Sequence, residues 1–382
     1  MDTPPGGELA ATLAAVKEAM DALAFAWTRA VMLGDLDTPL PVLEFVEGVC
    51  TVVDAGGAEP AVERVRLTPQ SARHFATIMA VINLLHKRAV AGTLPCMQRD
   101  LFYTLKNRLV GEPWGEDGVT EQDVKKAVQK ISRMLHVPRE DLGVQCSGKG
   151  LVRGPLEVFR DDGTWTSCRT TDFSIGGDLH EIADMQFRTP PGSAPACCVL
   201  VVEKETVFRR AVAAGLDRKR RRGTRLPAGC IVITGKGYPD HATRAFLHGL
   251  HAAFPRLKIF GLCDYNPDGV AILSTYRWGY AKDGSNAQCW GPRHAVPLAY
   301  LGVHAAHIAD AGGHLPAGQA LTGRDLSLLG TLAADSPVAG DAAWAGEVAA
   351  MADGNVKYEI EDVCYPNFLE FIVPRLNAAL ND

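Results

Sequence analysis

Three short apolar stretches of this chain each run out into residues that can do chemistry. CCVLVVEKE (197–205) ends around Glu203, CIVITGKGYPDHATRAF (230–246) breaks at a Gly-rich turn carrying Lys236, and LKIFGLCDYNPDGVAIL (257–273) ends around Asp264 and Asn266. Carboxylates are the hard oxygen ligands that Mg²⁺ takes, and it keeps several waters besides. Asn266, two residues beyond Asp264, faces the same way along an extended strand and offers a neutral, weaker oxygen. Glu203 also suits an acidic helix start, a reading that Glu205 fits better, and Asp268 after Pro267 is explained by helix-start chemistry alone. A different group stands in QRDLFYT: Tyr103, with Arg99 one helical turn before it. A free phenol has a pKa of about 10, so it is a poor nucleophile unless a base, a cation or a metal-polarised phosphate assists it. Arg99 at i−4 could hold a phosphate or steady a phenolate. A tyrosine on a helix is more often a half-buried packing residue.

The elements that must position these residues follow from the periodicity. Each apolar run is followed by helical spacing, a β-α-β-α-β-α pattern that implies a parallel sheet. The strand C-termini of such a sheet share one edge, so Glu203 and Asp264 should converge there. Upstream, helical spacing runs from Pro69 to a Gly stop, QRDLFYTLKNRL (98–109) forms a second helix, and a third starts at Thr120, where TEQD fits a capping box. A hairpin-like stretch follows over 143–159, with Gly148 and Gly150 at its bend. Three helices and a wing suggest a winged-helix DNA-binding module. Lys125, Lys126, Lys130 and Arg133 on the third helix and Lys149 and Arg153 at the wing suit phosphate contacts, or equally a solvated face.

Before this module lie a long amphipathic helix over 8–33, which packs on its own chain or is offered to a partner, and a connector with one strand at 46–53. Residues 160–196 read as a polar linker. The basic run DRKRRRGTR (217–225) fits a nuclear import signal, a phosphate-contacting loop or, by default, a solvated loop. A further strand is expected within 295–304 and a Thr-capped helix from Thr322. The expected domains are therefore 1–68, 69–165 and 166–382.

Composition narrows the classes. A chain of 382 residues with net charge −5 is no indiscriminate polyanion binder, so nucleic-acid contacts must come from local Lys and Arg clusters. Ten cysteines without a CxxC pair, two of them adjacent at 197 and 198 in an apolar strand, read as core packing in a reducing compartment rather than zinc or disulfide chemistry. No apolar run is long enough to span a membrane, and an intracellular protein is expected.

EKE at the first strand end, TGKGYPDHATRAFL at the second and DYNPDGVAILSTYRWG at the third resemble the Toprim domain of the topoisomerase VI A-subunit family. QRDLFYT resembles the tyrosine motif of that family's eukaryotic branch, the meiotic double-strand-break transesterases. SGKGLVRGPLEV resembles the wing, LAYLGVHAAHI a late Toprim strand, and GNVKYEIED the C-terminal helix. The resemblance runs from about residue 69 to the C-terminus.

It implies a winged-helix (CAP-like) domain followed by an α/β Toprim domain with a mainly parallel sheet. It further implies a type IIB topoisomerase-like enzyme acting on double-stranded DNA. Tyr103, aided by Arg99, would attack a DNA phosphate to leave a 5′-phosphotyrosyl link. Glu203, Asp264 and Asn266 would hold Mg²⁺, and Lys149, Lys236 and Arg244 would contact DNA. Asn266 departs from a more usual second Asp. The active form would be a homodimer with a topoisomerase VI B-like subunit, in the nucleus, starting meiotic recombination. A resealing topoisomerase of the same family and a non-cleaving DNA binder are the alternatives.

Overall fold

The computed structural model describes residues 42–46, 49–53 and 69–381, apart from 94, 112–113, 135–138, 140–141, 146, 161, 219–225, 280–293, 312–314, 335 and 365–366. The amphipathic helix expected over 8–33 and most of the basic run 217–225 lie outside the described residues. The chain divides into two compact units, 1–147 and 148–382.

In the first unit, β1 (Val42–Val46) and β2 (Val49–Val53) pair antiparallel, from Val42 opposite Val53 to Val46 opposite Val49. This differs from the single strand expected here. VLEFV is as apolar as VCTVV and carries Val at both ends and an aromatic Phe45, so both halves meet the requirement for a strand. Three helices follow: α1 (Pro69–Val90), α2 (Gln98–Lys106) and α3 (Glu121–Met134). Their apolar residues recur at helical spacing and are buried: Ile78, Val81, Ile82 and Leu85 on α1, Leu101 and Leu105 on α2, Val124, Val128 and Ile131 on α3. The capping box forms as expected. Thr120 N donates to Asp123 Oδ2 at 2.9 Å and Asp123 N donates to Thr120 Oγ1 at 3.2 Å. Arg73 on α1 fixes the α2–α3 connection by donating to the carbonyls of Trp114 and Gly118 and to Asp123. A short parallel pair, β3 (Cys96–Met97) with β4 (Val144–Gln145), ties the start of α2 to the far side of α3.

The second unit holds a six-stranded sheet in the order β13-β12-β10-β11-β5-β8. Its parallel centre is β10 (Val199–Val202), β11 (Ile231–Thr234), β12 (Ile259–Leu262) and β13 (Leu298–Gly302). Every residue of β10, β11 and β12 is buried, as a parallel sheet covered on both faces requires. Helices α5 (Glu205–Ala213), α6 (His241–Ala253) and α7 (Pro267–Trp278) follow β10, β11 and β12. Gly279 closes α7 in the left-handed conformation, at φ 76°.

Two expectations are corrected here. The stretch read as the wing of the first domain belongs largely to the second unit, because β5 (Leu151–Arg153) pairs antiparallel with β11 and with β8 (Phe173–Ser174). Leu151 and Val152 are buried in that sheet, which is where their apolar surface is best satisfied. The supposed linker 160–196 is also folded. It contributes β7 (Trp165–Ser167), β8, the helix α4 (Leu179–Asp184) and β9 (Gln186–Arg188), and a three-stranded sheet forms in the order β7-β6-β9 around β6 (Glu157–Phe159). Arg188 stacks 3.8 Å over the Trp165 ring and pairs with Glu157, giving polar residues of this stretch fixed partners. Toward the C-terminus come α8 (Ala305–Ala311), β14 (Gln319–Ala320), α9 (Gly323–Ala334), α10 (Ser336–Gly340), α11 (Ala342–Gly354), β15 (Val356–Lys357), α12 (Ile360–Val363) and α13 (Phe368–Asn381). Thr322 and Asp325 cap α9 reciprocally, as expected. No helix among the described residues is long and apolar enough to cross a membrane.

Candidate functional site

The parallel register of β10 with β12 sets Val202 beside Leu262, so the residues that follow emerge together at one sheet edge. Glu203 and Asp264 meet there as expected. Asp264 N donates to a Glu203 side-chain oxygen at 3.1 Å. Asp264 is 2% exposed, and Ile360 N donates to its Oδ1 at 3.0 Å. The backbone bridge between Tyr265 and Tyr358 brings the 356–361 segment to this edge. Glu359 and Glu361 arrive with it, and ligand oxygens of Asp264, Glu359 and Glu361 lie within 4.8 Å of one another.

The ammonium of Lys204 stands among these oxygens, 2.8 Å from Asp264, 3.4 Å from Glu361 and in contact with Glu359. Burial, and then the charge of Asp264, pushes the Glu203 carboxyl up to about 7. Burial pushes Asp264 up to about 6, against the hydrogen bond from Lys204. Both shifts are chiefly those of buried carboxylates whose charge is short of solvation. An all-oxygen set with this deficit fits a hard divalent cation. Lys204, Glu359 and Glu361 escaped the sequence reading as site residues; the ExE spacing in YEIED was the available signal, and only the long-range strand pairing reveals where it points.

The remaining candidates of the second unit have other partners. Asn266 caps α7: its Oδ1 accepts from Gly269 N at 2.7 Å, and its Nδ2 lies 3.5 Å from Asp264 Oδ2. Glu205 opens α5 and pairs with Arg209 and Lys236, which agrees with its reading as a helix-start residue. Asp268 accepts from the Tyr238 hydroxyl at 2.8 Å. Lys236 is exposed, at φ 53°, with its ammonium 3.0 Å from Glu205. Lys149 is half-buried, and its backbone N donates to Asp240. Arg244 corrects the expectation of a DNA contact. It is 3% exposed, and its guanidinium donates to the Gly279 carbonyl at 3.0 Å and meets His241 at 3.1 Å, so it braces α6 against the end of α7.

In the first unit, α2 carries both Arg99 and Tyr103. Its buried face is Leu101 and Leu105, which turns Tyr103 outward at 58% exposure. The ring of Phe102 lies 5.2 Å from that of Tyr103. Arg99 is also exposed, with its Nε 3.8 Å from Glu121 on α3. An exposed phenol with a guanidinium one turn away can reach a large anionic substrate, which an entombed ring could not. On α3, Lys125 and Lys126 are exposed.

Residues 198–373 match the family model for the Toprim domain of the topoisomerase 6 A-subunit and Spo11, and residues 73–144 match that described as Type IIB DNA topoisomerase. Meiotic recombination protein SPO11-2 of Oryza sativa subsp. japonica is 33% identical over 235 residues, 61% of this chain and 55% of that protein. Meiotic recombination protein SPO11 of Mus musculus is 28% identical over 301 residues, 77% of this chain and 68% of that protein. The DNA topoisomerase 6 A-subunit of Arabidopsis thaliana is 30% identical over 235 residues, 58% of this chain and 48% of that protein. The chain spans about half the length of the plant relatives it matches.

Proposed function

We propose that this chain, which matches the models of the topoisomerase 6 A-subunit and Spo11 family over residues 73–144 and 198–373, is a topoisomerase-like DNA transesterase that opens double-strand breaks to start meiotic recombination. The observation that carries the reading is the exposed Tyr103 on α2, within the region matched to type IIB topoisomerases, in a chain that also holds an acidic sheet edge. The three helices of the first unit act as the DNA-binding module, with exposed Lys125 and Lys126 on α3 as phosphate contacts. Residues 1–68 meet a topoisomerase VI B-like partner. The setting is the nucleus.

In the reaction, the Tyr103 hydroxyl gives up its proton and its oxygen bonds to a backbone phosphorus. The bond from phosphorus to the 3′ oxygen breaks, and that oxygen leaves as a hydroxyl. One phosphodiester replaces another, so no nucleotide hydrolysis is needed. Arg99, one turn away, balances charge on the phosphate and phenolate. Glu203, Asp264, Glu359 and Glu361 would hold Mg²⁺, which when bound supplies Lewis-acid polarisation of the phosphate. A homodimer brings the tyrosine of one protomer to the acidic edge of the other, and one break through both strands uses both.

The test is denaturing capture of covalent protein–DNA adducts from cells. Wild type should yield adducts and Tyr103→Phe none, with DNA binding and fold retained; adducts in the variant would reject the assignment. A second reading, the DNA-cutting chain of a resealing type IIB topoisomerase, is favoured by the description of the model matching residues 73–144. It requires that the chain, with ATP and a B-like partner, relax supercoiled DNA.

A further inference from the structure

The opposite edge of the same sheet carries a second cluster that the proposed reaction does not use. Cys198 and Cys230 stand immediately before β10 and β11, which pair in register from Val199 opposite Ile231. Both are fully buried, while Cys197 is half-buried. The three sulfurs turn toward one another rather than into hydrocarbon. Cys198 Sγ lies 3.4 Å from Cys230 Sγ, Cys197 Sγ lies 3.7 Å from Cys230 Sγ, and Cys197 Sγ lies 3.9 Å from Cys198 Sγ. The Cys197 thiol also reaches the Ala228 carbonyl at 3.2 Å.

We propose that Cys197, Cys198 and Cys230 form a binding site for one thiophilic divalent metal ion, Zn²⁺ being the natural occupant. A tetrahedral zinc–thiolate centre has Zn–S bonds of about 2.3 Å, which makes each sulfur–sulfur edge about 3.8 Å. The three separations here straddle that value, so an ion can be seated with little movement of the strands. Three soft donors select zinc and its congeners over Mg²⁺, and the half-buried side of Cys197 gives the ion a way in and leaves room for a water or the Ala228 carbonyl as fourth ligand. As the ion binds, each thiol still protonated gives its proton to solvent and forms a sulfur–metal bond, and no electron changes hands. Core packing, the expectation drawn from spacing, accounts for the burial of Cys198 and Cys230, and the convergence of three sulfurs on one point is the further observation on which the proposal rests. The ion would staple the beginnings of β10 and β11 together, at the end of the strands remote from Glu203 and Asp264.

The test uses the full chain, reduced with a phosphine and kept in excess Mg²⁺ so that the carboxylates are engaged. Titration with Cd²⁺ should raise an ultraviolet thiolate-to-metal charge-transfer band that saturates at one ion per chain and is erased by competing Zn²⁺. X-ray absorption of the zinc-loaded chain should count three sulfurs at about 2.3 Å. Cys197→Ser, which alters the most open of the three and should preserve the fold by circular dichroism, should reduce both the band and the sulfur count. Absence of the band, a sulfur count of one or none in wild type, or a band unchanged in the Cys197→Ser/Cys230→Ser double variant would overturn the assignment. The wild-type count decides the matter even if the variants fail to fold.

Discussion

Replacing Glu203 by Gln takes a charge away from beside Asp264 while leaving an oxygen to accept the Asp264 N–H, 3.1 Å away in the wild type. The structure sets the size of the effect. The Glu203 carboxyl titrates at about 7 in the folded chain, against 4.5 for an ordinary glutamate. An acid whose pKa is raised on folding binds its proton more tightly in the native than in the unfolded state. Between about pH 4.5 and 7 the native state therefore holds more protons, and stability falls as pH rises. At about 1.4 kcal/mol per pH unit the cost at pH 8 is about 3 kcal/mol, which solvent reaching the half-buried side chain reduces to about 2–3 kcal/mol. Glu203→Gln should therefore be more stable than wild type by about that much in urea unfolding at pH 8 with divalent ions chelated, and nearly equal to it at pH 4. Added Mg²⁺ should stabilise wild type more than the variant. A variant no more stable than wild type at pH 8, or a difference independent of pH, would refute the claim that this edge stores unneutralised negative charge.

Asn266→Ala should cost about 1 kcal/mol in urea unfolding by uncapping α7, whereas Asn266→Asp should keep the cap and, by adding a carboxylate beside Asp264, tighten Mg²⁺ binding in calorimetry at the expense of metal-free stability; equal Mg²⁺ affinity in wild type and Asn266→Asp would show that the side chain at 266 does not reach the ion. Gly148→Ala brings a Cβ to 2.1 Å from the Ile175 carbonyl oxygen and 2.5 Å from Gly176 backbone, so it should destabilise by about 2–3 kcal/mol or more. Gly330→Ala, with open space around its Cβ inside α9, should instead stabilise by up to about 1 kcal/mol. Thermal unfolding of the pair checks both.

The elements that carry Glu203 and Asp264 were legible because each strand is a continuous β-branched run that ends abruptly in charge, and a parallel sheet leaves no choice about which edge those ends share. Tyr103 was singled out by its context and the QRDLFYT motif, since a helical tyrosine is more often half-buried packing; its exposure comes from Leu101 and Leu105 claiming the inner face of α2. Lys204 was hidden in plain view, since alternation along an extended strand says nothing of where a long flexible side chain ends. Glu359 and Glu361 depend on the Tyr265–Tyr358 bridge, a pairing between residues nearly a hundred positions apart that no local pattern encodes. The misplaced wing has the same origin. A hairpin-like stretch is recognisable from its glycines and apolar alternation, but which sheet it joins is decided by where Leu151 and Val152 find cover. Arg244 failed for the opposite reason, because a cation in a helix reads as solvated until its surroundings are known, and here a backbone carbonyl claims it.

The bond from Ile360 N to Asp264 Oδ1 couples this acidic corner to translation order. A ribosome that has already released β10 and β12 has made a sheet but no cage, because two of its oxygens come from residues 359 and 361. If one ion takes all four carboxylates, as proposed, the full set of ligands exists only after that late segment has been made, and Lys204 is the counter-ion already beside Asp264.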